Sequence, residues 1–244
     1  MPAGSVQGEL RRRYRRMRPG WQPAATLFRE MVRSAAPASG RVLDVGAGRK
    51  DFPLDDAPGL QLFGVDPDAT AIAHHDTLSS RAAARGERLP FQDGSFDLIC
   101  SAWVLEHVDA PRAFVREIAR VLRPGGRFAF VTPNGRNPVT WVIRAIPNRL
   151  HPSIMRRVQH RDVKDTYPVR YRINTPRTVD RIMGEAGLVR EQLVLNGDPT
   201  YLALGARSFR AWAALERVFD LPGLSGARVH LIGLYRKALA ESRR

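Results

Sequence analysis

The sequence predicts an α/β fold with a doubly wound, mostly parallel sheet of seven strands, and three observations lead there. Apolar strand-like runs alternate with segments of helical periodicity, an order that implies parallel strands joined by right-handed crossovers. The first run, RVLDV, ends in Gly46-Ala47-Gly48, so a buried strand enters a turn where backbone must approach a ligand closely. With 244 residues, 43% of them hydrophobic, the chain can bury one large core without disulfide staples. In such sheets the ligand sits beyond the carboxyl ends of the strands.

The elements follow in order. Residues 1–22 carry RRRYRR and are expected to form a basic arm, disordered or surface-bound, ahead of a single domain over 23–244. In PAATLFREMVRSAA, Leu27, Phe28, Met31 and Val32 fall at helical spacing and predict an amphipathic helix. Val42 to Val45 is the first strand. LQLFGVDPD gives a second, ending at Asp66 because Pro67 cannot continue a ladder. A helix is expected over 69–79, and a short third strand near Arg81 to Ala84. FDLICSAW is the fourth strand. A helix follows, with Pro111 in its first turn and Phe114, Val115, Ile118, Val121 and Leu122 on its apolar face; Pro124-Gly125-Gly126 is expected to end it before the fifth strand, RFAFVTP. TPRTVDRIMGEAGL reads as a capped helix, LVREQLVL as the sixth strand, ARSFRAWAALERVF as a packing helix and RVHLIGLYR as the last strand.

Charge is distributed unevenly. The net is +15 overall, with +6 over residues 1–40, −2 over 41–133, +7 over 134–176 and +4 over 177–244, so the excess lies in the flanks. Only three of the 39 basic residues are lysine, a bias that genome composition explains as well as a preference for bidentate contacts. The lone Cys100, inside an apolar run, excludes a disulfide framework and a cysteine zinc site. No stretch reaches the ~18 apolar residues of a membrane span, and no apolar segment follows the N-terminal arginines as a secretory signal requires, so a cytoplasmic protein is expected.

The turn at 46–48 decides between ligands. A dinucleotide fingerprint wants a third glycine where Asp51 stands, and no phosphate-cradling G-x-x-x-x-G-K-[ST] occurs. An acid beside the turn, Asp44, favours a ligand with a cationic end and no phosphate, and Asp66 at the end of the next strand can accept hydrogen bonds from both hydroxyls of a ribose. A ribose joined to an amino acid fits S-adenosylmethionine.

These residues, together with GERLPFQDGSFDLICSAWVLEHVDAPRAFVREIARVLRPGGRFAFVTPN, resemble the class I S-adenosylmethionine-dependent methyltransferases, specifically the type 11 methyltransferase domain, over about residues 40–135. The resemblance implies a Rossmann-like methyltransferase sheet and roles for matching positions. Asp44, Gly46 and Gly48 would line the methionine end, and Asp66, with Pro67 behind it, would hold the ribose hydroxyls. Leu89 would stand in the adenine region, where the family's usual Asp is replaced by Arg85 and Glu87 is the substitute. Lys50 stands where a third glycine is frequent, and Pro53 shortens the helix that normally begins there.

Methyl transfer from a sulfonium disperses positive charge in line, so the protein chiefly aligns the acceptor and excludes water; no metal is called for. His107, in LEHV just past the fourth strand, is the candidate base for a hydroxyl acceptor, weighed against a capping or packing role. Trp103 is expected on the pocket wall. Residues 134–176 are expected to insert two short basic amphipathic helices over the acceptor, with Trp141, Tyr167, Arg170 and Tyr171 gripping it. The expected acceptor is a small molecule, a glycan or a lipid-linked compound methylated at oxygen. Peripheral contact of the basic flanks with an anionic membrane is expected ahead of nucleic acid, since no RNA-binding module is present. Two alternatives stand beside this reading: a non-catalytic binding protein that kept the fold, and an RNA methyltransferase.

Overall fold

The computed structural model describes all residues except 1–5, 50–52, 55–56, 76, 139, 142–167, 202, 204 and 240–244. Its sheet has seven strands: β1 (Gly40–Val45), β2 (Leu60–Asp66), β3 (Ser80–Ala83), β4 (Phe96–Ala102), β5 (Leu122–Pro133), β6 (Leu188–Asn196) and β7 (His230–Lys237). They lie in the order β3-β2-β1-β4-β5-β7-β6. The pairs among β1 to β5 are parallel, and β7 runs antiparallel to both β5 and β6. The start of β7 therefore meets the end of β5, with His230 opposite Pro133, at the rim where the parallel strands finish.

Among the described residues, the helices that accompany the sheet include α1 (Val6–Met17), α2 (Ala24–Ala35), α3 (Ala69–Ala73), α4 (Pro111–Val121), α5 (Pro176–Glu185) and α6 (Ala206–Val218). The strands that helices cover on both faces read as continuous apolar runs, as buried parallel strands do. On one face Leu43, Val45, Ile99, Phe128 and Phe130 pack with Phe114 and Ile118 of α4 and Val179 and Met183 of α5. On the other, Val42, Leu98, Cys100, Ala129 and Val131 pack with Phe28 and Val32 of α2. Each large side chain so buried contributes about 1.5–3 kcal/mol. Thr175 caps α5, accepting a hydrogen bond from the Thr178 backbone N–H.

One expectation is narrowed and two are corrected. Of the disordered or surface-bound forms expected for the basic N-terminal segment, residues 6–17 take the packed one: Leu10 and Tyr14, four residues apart, form a stripe that packs with Ala203, Phe209 and Ala213 of the α6 region. The helix expected over 69–79 stops at Ala73 after little more than one turn. Asp68 caps its start, but Leu78 is drawn into the core and the Ser79 N–H bonds the Leu62 carbonyl, and those contacts outweigh helical continuation. Pro124-Gly125-Gly126 does not end α4. Leu122 already has extended backbone, and residues 123–126 form a bulge inside β5, where pairing jumps from Phe96↔Leu122 to Leu98↔Arg127.

The pole opposite the rim is clamped. Asp97 accepts a hydrogen bond from the Arg41 N–H at 2.7 Å and pairs with Arg123 at 2.8 Å, while Lys237 Nζ donates to the Leu122 carbonyl. Of the insertion expected over 134–176, residues 142–167 lie outside the described residues. Among the described residues, no helix is long and apolar enough to cross a membrane.

Candidate functional site

The site begins where β1 runs out. Gly46 has φ +84° and Gly48 φ +55°, the left-handed region that glycine enters without a Cβ clash. A Cβ on Gly46 would stand 2.2 Å from Val104 Cγ2, so that backbone is pressed against the turn that follows β4. The tight turn places its N–H groups at the carboxyl rim. Gly48 N–H donates to Asp66 Oδ2 at 3.0 Å, and Asp68 N–H donates to Asp66 Oδ1 at 2.8 Å. Asp66 is thus buried and fixed from both sides, while the helix cap is Asp68, two residues on. Pro67 between them is exposed.

Asp44 is one strand away and in a different electrostatic position. Among the described residues nothing donates a hydrogen bond to its carboxylate. Burial, and then the neighbouring charge of Asp66, push its carboxyl up to about 7. Two carboxylates at the strand ends, one of them without a donor, form a negative focus that favours a cation.

A second group lies at the β3 edge. A groove of about 690 Å³ is lined by Ala83, Arg85, Arg88, Leu89, Phe91 and Gln92. Leu89 is buried and its N–H donates to Glu117. Arg85 does not close the rim: its exposed side chain turns to Glu87 at 3.7 Å and Asp109 at 3.6 Å.

The third group follows β4. Trp103 has φ +62°, rare for a bulky residue, with its N–H on the Val131 carbonyl at 2.9 Å. Its ring meets the His230 ring edge-on, centroids 5.2 Å apart. Trp103 therefore touches both the second core and the rim. His107 Nδ1 faces the Pro168 carbonyl at 3.0 Å. A carbonyl only accepts, so Nδ1 carries a proton, and Nε2 lies 3.9 Å from Glu106 Oε1. The N–H groups of Arg170 and Tyr171 both donate to the Glu106 carbonyl, and Arg170 Nε pairs with Asp109 at 2.9 Å. Segment 168–172 is stitched to the turn carrying His107, with Tyr171 buried at φ +51°.

Of the residues expected to grip an acceptor, Arg170 and Tyr171 join this group. Trp141 stands apart, exposed, its indole N–H on the Gly135 carbonyl. Tyr167 lies outside the described residues. Sequence reasoning missed a buried polar chain: Asn174 Nδ2 donates to Thr132 Oγ1 at 2.6 Å, which donates to Glu106 Oε2 at 2.8 Å. It also missed His230, whose only local signal is a polar residue opening an apolar strand.

Comparison with known proteins bears on the family and the fold. The family described as "Methyltransferase domain" matches residues 43–130. An uncharacterized methyltransferase of Mycolicibacterium gilvum is 45% identical over 92 residues, 35% of this chain and 36% of that one. A malonyl-[acyl-carrier protein] O-methyltransferase of Hahella chejuensis is 36% identical over 101 residues, 35% of this chain and 34% of that one. The chain spans between about a third and a half of the length of the curated relatives it matches. The crystal structure of a SAM-dependent methyltransferase from Methanosarcina mazei superposes with a TM-score of 0.58 at 18% identity, covering 86% of this chain and 98% of that one; at that identity the likeness is one of fold.

Proposed function

We propose that this chain, whose residues 43–130 are a methyltransferase domain, is an S-adenosylmethionine-dependent methyltransferase acting on a hydroxyl-bearing small-molecule, glycan or lipid-linked acceptor. The observation that carries the reading is the pair of carboxylates at the glycine turn: Asp66 held by two backbone N–H groups, and Asp44 buried with no donor among the described residues. The turn fits the cofactor chemically. Asp44 suits a primary ammonium, and the Asp66 carboxylate at the end of β2 suits ribose hydroxyls. Close packing of Gly46 on Val104 keeps the backbone low enough for a ligand to lie across it. Leu89, Glu87 and the β3-edge groove are the place for the base, and Trp103 for a wall. When bound, S-adenosylmethionine supplies an electrophilic methyl group on a sulfonium.

The remaining tasks fall to the chain. It has to orient an acceptor oxygen at the rim, exclude water there and accept the oxygen's proton. His107 is proposed for the last role, its ring oriented by Nδ1 on the Pro168 carbonyl. The Hahella chejuensis relative is named an O-methyltransferase, which favours oxygen as the methylated atom. Contact with an anionic bilayer is proposed for the α1–α6 surface, where Arg13, Arg210 and Arg217 surround Met17 and Phe209 and the apolar Val218, Leu221 and Leu224 are exposed.

Isothermal titration with S-adenosylmethionine and its demethylated product tests the cofactor. Binding of both is expected, and Asp66→Ala should weaken it by about 1.5–3 kcal/mol, the worth of hydrogen bonds to a charged group. Absence of heat and of thermal shift in the parent protein favours the non-catalytic alternative. For His107, His107→Gln should lower turnover by about 10²–10⁴ with cofactor affinity kept; unchanged turnover removes it from the mechanism.

A further inference from the structure

The junction of α1, α6 and the start of β7 gathers polar atoms that nothing among the described residues satisfies. His230 is 2% exposed and neither ring nitrogen has a hydrogen-bond partner. Tyr14 OH, Arg11 Nε, Glu216 Oε2 and Arg228 Nε are likewise buried without partners along the same seam. Most buried polar groups in folded proteins are paired, and an orphan forfeits its hydration without recompense. A cluster of them is therefore a standing preference for a polar guest.

The seam lies at the working end of the sheet. His230 pairs in register with Pro133 at the end of β5 and Asn196 at the end of β6. Its ring is edge-on to Trp103, just past β4, and to Tyr201, with centroids 5.2 and 5.1 Å away. Most charges in the seam are matched among themselves. Arg11 faces Asp198 at 3.9 Å, and Arg18 and Arg228 both pair with Asp220. What is left over is a mixture of donors and acceptors, Arg11 Nε, Arg228 Nε, Glu216 Oε2, Tyr14 OH and the two His230 nitrogens, bordered by the rings of Trp103, Tyr201, Tyr14 and Trp21. An anionic guest would meet Asp198 and Glu216, and a cationic one Arg11 and Arg228. Hydroxyl groups, which both donate and accept, match the set.

The cover is identifiable too. Helix α1 belongs to neither main core and rests on a small cluster of its own through Leu10 and Tyr14. Gln7 to the Ala203 carbonyl and Arg11 to Asp198 are its polar ties nearby.

We infer that this seam binds the methyl acceptor, that α1 covers it, that His230 is the side chain meeting the acceptor, and that the acceptor presents several hydroxyls, as a sugar or polyol does. The inference rests on the methyltransferase reading. Burial holds the His230 imidazole neutral, its pKa pushed down to about 4 against the opposing pull of Asp198, so the ring offers one donor and one acceptor.

The test uses the whole protein labelled at histidine nitrogens and saturated with the demethylated cofactor product, with methyl α-glucopyranoside and sorbitol as probes at about 0.1 M, where a millimolar site is filled. At least one probe should shift the ring resonances of His230 and raise Tm. In His230→Phe probe affinity should fall about tenfold or more, while the variant's own Tm holds or rises because two orphaned polar atoms are gone. Unmoved His230 resonances with both probes overturn the inference. So does a lower Tm, or failure to fold, in His230→Phe, since the imidazole is then a packing group. If the product itself does not bind the parent protein, the methyltransferase reading fails; if it binds and the probes do not, only this inference fails.

Discussion

Asp44 is the residue whose titration connects stability to ligand binding. Its carboxyl is raised from an ordinary 3.8 to about 7, by burial first and by Asp66 second. The folded state thus disfavours the ionised form, and Asp44's contribution to stability is complete below about 4 and lost as pH climbs to about 7. Asp44→Asn carries no such loss. Its Tm should gain on the parent between about pH 4 and pH 7 and keep a constant advantage above, while its affinity for S-adenosylmethionine drops; parallel Tm curves across that range would contradict the assignment. In the parent, a cation bound at Asp44 favours the ionised form, so cofactor affinity should decline as pH falls below about 7. Asp44 and Asp66 were readable in the sequence because the first interrupts an apolar run just before the glycine turn and the second ends one, and Gly46 and Gly48 because a turn needs them there. Glu106, Thr132, Asn174 and His230 were not, since what defines them is burial and partners far along the chain.

Among the elements, α1 is where composition left two forms open and geometry decides. Five arginines between residues 11 and 16 hide a stripe of only two apolar positions, Leu10 and Tyr14, and no local rule says that Phe209 waits for them. Leu10→Ala should therefore act locally. Amide exchange across α1 should quicken by the equivalent of about 2–3 kcal/mol, with the β1–β4 amides and cofactor binding unaffected; a matching loss in global Tm would show that α1 is instead integral to the core. By contrast α4 and β5 were readable from periodicity alone, because Phe114, Val115 and Ile118 recur at helical spacing and bury against strands of continuous apolar sequence. The over-long α3 and the bulge at 123–126 share one cause: tertiary contacts, through Leu78 and through Asp97 with Arg123, decide ends that propensity leaves open.

At the scale of the molecule, charge and chemistry occupy different ground. The segment 41–133, which holds the glycine turn and both carboxylates, is net −2, and the surplus positive charge belongs to the flanks. Flotation with vesicles rich in anionic lipid should carry the protein upward at low salt and release it at high salt, since each nearby arginine is worth about 1 kcal/mol; absence of flotation at either salt removes the membrane from the account. The sheet divides labour along its length. Asp97, Arg41, Arg123 and Lys237 fasten the strands at one end, and the other end carries Asp44, Asp66, Trp103 and His230. A scaffold locked from below leaves its upper surface open to directed evolution: libraries that randomise positions 103, 201 and 230 would inherit an intact foundation, and new acceptor preferences should emerge without compensating repairs beneath.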